Sequence, residues 1–257
     1  MFWEILTEIT DGLTNSVRLD KILFIFNDNI KLSKLYYKLV KYNILFHIIP
    51  WIVEKILNSI FGLSSIYPVI LVLNLFSGVF HIVFYIDLLH IIAKYNKQVI
   101  GNNDPLSMVS QSITMALYHS SMLAMISMVD YFIYPFYPLL VTYCKFFVLT
   151  VYHSFYCYNN LWQSRKISMS LRIDMHEKLW PYYFGYGILA SIIYLYTSQP
   201  YFIALYNIYI SFALSIPFLT KSRCPIKIMP YPSINLKIFS ILIRILFSIS
   251  RYLTNKF

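Results

Sequence analysis

Asp87 and His90 stand three residues apart, so on a helix they share one face, and His81 lies farther along the same apolar stretch. Ionisable groups inside a hydrophobic segment are candidates for a proton relay, a metal site or a substrate contact. Lys145 sits within another apolar stretch, where an ammonium costs at least about 2.5 kcal/mol on insertion scales and must find a carboxylate, carbonyls or water. Asp130 and Glu54 are the carboxylates the sequence offers it. His153 and Cys157 are spaced i, i+4, but two ligands fall short of the roughly three protein ligands that zinc requires, so no metal site is expected. The bland reading of Asp87 and His90 is favoured: they lie near the end of their segment, where capping or snorkelling to the interface is cheap. The chain has no phosphate-binding glycine loop, no Gly-x-Ser-x-Gly elbow and no His-Glu-x-x-His, so nothing in it calls for an enzyme or a cofactor.

These residues must be positioned by elements in a membrane. The 257 residues are 58% hydrophobic and 12% charged, against about half and a quarter in soluble domains, which places the chain among all-α integral membrane proteins. Its net charge of +10 is distributed between apolar segments and does not form one patch, which argues for topology and against nucleic acid. Three scattered cysteines, Cys144, Cys157 and Cys224, exclude a disulfide framework. Glu4, Glu8 and Asp11 stand where a secretory signal would be basic, so the first hydrophobic span is expected to act as a signal anchor.

Residues 1–41 read as a cytoplasmic segment. It holds an amphipathic helix, with Glu4, Glu8 and Asp11 roughly opposite Trp3, Ile5, Leu6, Ile9 and Leu13, and then a basic ladder of Lys31, Lys34, Lys38 and Lys41 facing anionic headgroups. Residues 42–219 read as the multi-pass domain. Its first span, 42–61, is interrupted by His47, Pro50, Glu54 and Lys55 and is expected to tilt or to insert only partway. Spans at 66–93, 106–129 and 139–158 follow, then two arms from Tyr182 to Leu219 joined at Thr197-Ser198-Gln199-Pro200. The first arm, 182–196, is short for a crossing, and a hairpin that dips only partway is the alternative. Residues 220–257 form a basic tail in which 234–253 patterns as an interfacial helix.

Lys and Arg number six in the N-terminal segment, two in the loop 94–105, four in the loop 159–180 and seven from Lys221 onward, with none in the turns 62–65, 130–138 and 197–200. By the positive-inside rule both termini and both loops are cytoplasmic, giving about six membrane segments paired as three helical hairpins, with amphipathic helices at both ends. The loop 159–180 and the tail are then the expected interaction surfaces. Between that loop and the last hairpin lies Trp180-Pro181-Tyr182-Tyr183-Phe184-Gly185-Tyr186-Gly187. Pro181 suits a first helical turn, the aromatic rings suit the headgroup boundary, and Gly185 and Gly187 leave room for another backbone to approach.

Tyr156-Cys157, Trp162 and the run Glu177-Lys178-Leu179-Trp180 through Gly187 resemble the signature of the etoposide-induced endoplasmic-reticulum membrane proteins, which share a broader family with CysZ-like sulfate permeases. Pro217 and Leu236-Lys237-Ile238-Phe239-Ser240 are similar in order, and the likeness covers about residues 139–253. Ser168 and Ser170 depart from it, standing where Glu and His are expected. The resemblance implies residence in the endoplasmic-reticulum membrane and a structural or interaction role in autophagy, with the bilayer and other membrane or autophagy proteins as partners. It carries over no catalytic residue. Its other branch implies an anion permease, in which Lys145 and the hydroxyl-rich turns would line a path.

Overall fold

The computed structural model describes residues 2–28, 30–61, 131–165, 167–197 and 200–219, together with positions 87, 88, 91, 94, 127 and 128. Among the described residues the regular elements are all helical. They are α1 (Phe2–Ser16), α2 (Leu19–Asp28), α3 (Ile30–Asn43), a π-helical turn (Ile44–Ile48), α4 (Ile49–Phe61), α5 (Pro138–Ser164), α6 (Met169–Lys178), α7 (Trp180–Leu195) and α8 (Pro200–Leu219).

Proline and backbone bonds set several of these boundaries. Phe136 and Tyr137 donate back to the Ile133 carbonyl and close a turn, and Pro138 then opens α5 from its first position, where a missing N–H costs nothing. Pro181 and Pro200 stand at the starts of α7 and α8 in the same way. At the end of α5, Arg165 and Ile167 donate to the carbonyls of Leu161 and Trp162, which turns the chain into α6. The π-turn has an identifiable cause. Pro50 lacks an N–H and its ring crowds the carbonyl four residues earlier, so the helix widens and Ile49 donates to Ile44 instead.

The helices divide into two compact units, with boundaries inside α1 after Leu13 and inside α7 after Gly187. In the first, α5 and α6 pack with the start of α7, and the stripe of α1 that includes Ile9 and Gly12 lies against Tyr182, Gly185 and Tyr186. Phe2, Trp3, Leu6 and Leu13 of α1 remain exposed, so its expected apolar face only partly serves this packing. In the second unit, α3, the π-turn and α4 run antiparallel to α8. Tyr36 stacks on Phe212 at 4.6 Å, Asn43 and His47 meet Asn207, and Trp51 sets its edge against Tyr201 at 5.9 Å. Phe26 of α2 closes the end of that pairing against Tyr36 and Phe212.

Two described helices are long and apolar enough to cross a bilayer, Pro138–Gln163 and Tyr201–Leu219. The six-segment expectation is corrected to these two among the described residues. The 42–61 segment does not qualify, because Pro50 and the π-turn interrupt it and Glu54 and Lys55 lower its hydropathy. The 16 residues of α7 extend about 24 Å, short of the hydrocarbon thickness, as its length in the sequence implied. The expected spans 66–93 and 106–129, the loop 94–105 and the tail helix 234–253 lie outside the described residues, apart from single positions.

Candidate functional site

Most of the residues singled out around Trp180 converge in the first unit, on the faces shared by α5, α6 and α7. Tyr158 of α5 is the centre of the group. Its ring lies 5.0 Å from those of Tyr183 and Tyr186 and 5.6 Å from Trp162, and its hydroxyl meets that of Tyr182 at 2.8 Å. His176 of α6 stacks on Tyr183 at 4.6 Å and presents its edge to Phe155 at 5.2 Å. On the other side of α7, Trp180 and Phe184 pack with Phe147, and Phe184 also meets Phe146. Offset and edge-on geometries of this kind are favoured by the ring quadrupoles. Tyr183 and Tyr186 are thus core residues, while Trp180, Tyr182 and Phe184 stay half-buried.

The glycines of this stretch are sites of backbone contact. A β-carbon on Gly185 would collide with the Ile9 carbonyl of α1, one on Gly12 with the Tyr182 carbonyl, and one on Gly187 with the Thr150 carbonyl of α5. In each case the obstacle is main chain, which cannot rotate away. Gly12 and Gly185 together let α1 and α7 approach at van der Waals distance between backbones, the geometry that small residues permit.

Polar groups missed as a set in the sequence lie beside the rings. Arg172 is buried, donating from Nε to the Ile167 carbonyl at 2.7 Å and from a terminal nitrogen to Asn159 Oδ1 at 2.9 Å. Burial holds its guanidinium down to about 10, so it is still charged at neutral pH. Ser154 Oγ donates to the Val151 carbonyl at 2.8 Å and lies 2.9 Å from His176 Nε2. With its proton directed to Val151, Ser154 accepts from Nε2–H, which fixes the tautomer of the imidazole. Burial pushes His176 down to about 3, so it is neutral at physiological pH.

A serine and a histidine at hydrogen-bond distance resemble a nucleophile and its base, but this pair is not arranged for that work. Ser154 is 0% exposed, its proton faces a backbone carbonyl, and the imidazole is a donor toward it. Glu177 is also buried and engaged, whereas Asp174 and Lys178 pair at 2.7 Å on the outer side of α6. The segment 159–180 is largely helical, and Arg172, His176 and Glu177 are buried in the core, so they are not among the positions it presents outward. Its outward positions are Arg165, Ser168, Ser170 and Leu171, with the Asp174–Lys178 pair. The Arg172 and His176 spacing of four was the available signal for an inward face.

The remaining candidates do not join this cluster in the contacts that define it. Lys145 is half-buried on α5 and engaged. Asp87 is exposed, while His81 and His90 lie outside the described residues. His153 and Cys157 are both buried, and no group of three or more metal-ligating side chains occurs among the described residues. A second buried polar set went unrecognised in the sequence. Asn207 Nδ2 donates to Asn43 Oδ1 at 3.2 Å and approaches His47 Nε2 at 3.3 Å, and Tyr36 meets Ser215 Oγ at 2.5 Å. Burial pushes the Tyr36 hydroxyl up, so it stays protonated. Asn207, Ser211 and Ser215 recur every fourth residue along an otherwise apolar helix, which was a legible stripe.

The chain is 39% identical over 240 residues to "Uncharacterized protein L211" of Acanthamoeba polyphaga mimivirus, an alignment covering 92% of this chain and 91% of the viral protein. The chain belongs to the same family as that protein. No protein-family model matches it, and no solved structure matches it.

Proposed function

We propose that the chain is a multi-pass helical protein of the endoplasmic-reticulum membrane that supports autophagy as a structural and interaction component, not as an enzyme. The observation that most favours a structural role is the way the α5–α6–α7 core uses its polar groups. Arg172, Asn159, Ser154, His176 and the Tyr158–Tyr182 pair bond to one another or to backbone within the core. Such inward bonding fixes helices against each other. The organelle and the process rest on the resemblance of Cys157, Trp162 and Glu177 to Gly187 to the etoposide-induced proteins. In this reading both termini are cytoplasmic and the apolar stretches 66–93 and 106–129 add further passes, completing the hairpins. The outward side of α6, with Leu171 and the Asp174–Lys178 pair, is offered to a partner.

The rival reading is an anion permease, favoured by Lys145, a cation about two turns inside a helix long enough to span. Proteoliposomes separate the two. The structural reading predicts no sulfate flux above empty vesicles, together with slowed autophagic turnover when the chain is removed from its native cell. Sulfate flux that Lys145→Ala abolishes, in protein that remains folded, would replace it with transport.

A further inference from the structure

The continuous helical stretch 30–61 has an inner side packed on α8 and an outer side that is exposed. Leu32, Tyr36, Leu39, Asn43 and His47 are buried, and Tyr36, Asn43 and His47 meet α8. On the outer side of α3, Lys31, Lys34, Lys38 and Lys41 are all exposed, and no carboxylate occurs between Ile30 and Val53. Beyond the π-turn the exposed residues change in kind. Ile49, Ile52, Ile56 and Ile60 recur at spacings of three and four, and each is between 43% and 66% exposed. The outer side is therefore basic along its first half and apolar along its second.

We infer that this outer side docks obliquely onto an anionic lipid leaflet, with the lysines in the headgroup layer and the isoleucine stripe among the acyl chains. Three observations select a bilayer over other occupants. The inner side is packed on Tyr201–Leu219, itself long and apolar enough to enter a membrane, so lipid is already adjacent. The charge on α3 is of one sign, which complements an anionic surface and is worth about 1 kcal/mol per lysine near one. The order of basic and then apolar residues also follows the order of layers met on entering a leaflet. Ile49 lies about 12 Å along the axis from Lys41, a distance that a tilted helix covers in passing from headgroups to hydrocarbon. Lys55, exposed beside the stripe, can return its ammonium to the interface along its aliphatic stem. The inference rests on the membrane reading above and specifies which lipid and which side of the helix.

The test uses the full chain with Cys144→Ser and Cys224→Ser, leaving buried Cys157 in place, and a bimane label on Ile56→Cys. Retention in alkali-washed phosphatidylcholine vesicles is checked first, so loss of the membrane reading would appear there, separately. A doxyl-labelled lipid is then expected to quench the label about fivefold more than aqueous iodide does. Adding about one third phosphatidylserine should deepen that quenching, and Lys34→Gln/Lys38→Gln/Lys41→Gln should abolish the increment. Labels on Ile52→Cys and Ile60→Cys repeat the measurement in case one site perturbs folding. Iodide quenching as strong as lipid quenching, protection from both quenchers by a covering protein, or a phosphatidylserine increment that survives the triple variant would each overturn the inference.

Discussion

His176 is a neutral side chain held by three kinds of contact: the Tyr183 face, the Phe155 ring it meets edge-on, and the Ser154 hydroxyl. Because burial pushes it down to about 3 from an ordinary 6.5, the unfolded chain takes up a proton between those values and the folded chain does not. Its contribution to stability is therefore complete above pH 6.5 and is lost as the pH falls toward 3, by up to roughly 5 kcal/mol. Thermal unfolding in mild detergent should show this as a melting temperature that drops steeply below pH 6. His176→Gln should melt lower at neutral pH but with a flatter slope on acidification, and an equal slope in both proteins would rule the assignment out. Little of this was legible in the sequence, where His176 stood among Arg172, Asp174, Glu177 and Lys178 in a charged segment expected to serve as an interaction surface. Charge density marked the segment as outward, yet the spacing of Arg172 and His176 put their side chains on the side that packs on α5.

Among the elements, the crossing of α1 and α7 is the most sharply determined contact. Gly12 and Gly185 remove the side chains between two backbones, so larger residues there must push main chain apart. Gly185→Leu should cost several kcal/mol, in the range of severe overpacking or beyond. In fluorescence-detected size exclusion it should shift the protein from a single peak to aggregate. A monodisperse Gly185→Leu protein with the parental melting temperature would show that the helices part without cost. The two glycines after Trp180 announced close approach in the sequence. Gly12, which faces α7 beside Gly185, did not, because a glycine on an amphipathic N-terminal helix reads as surface. The interrupted 42–61 segment shows the opposite case. Pro50 was visible as a break, but whether it kinks, ends or widens the helix is not written in the proline alone, and here it widens it into a π-turn before α4.

For the whole molecule, composition pointed to an apolar helical chain: the described elements are all helical, and two of them, Pro138–Gln163 and Tyr201–Leu219, are long and apolar enough to cross a membrane. Among the described residues hydropathy marked more segments than are able to span, because α7 is short and the 42–61 stretch is interrupted. The buried polar sets explain how an apolar chain with few charges holds a particular arrangement: hydrogen bonds between helices supply the specificity that uniform hydrophobic packing lacks. In the membrane reading the chain is integral to a bilayer. Alkaline carbonate extraction of membranes containing the full chain tests that claim most directly. The protein is expected to stay wholly in the membrane pellet and to be released only by detergent. Recovery of folded protein in the carbonate supernatant would contradict it.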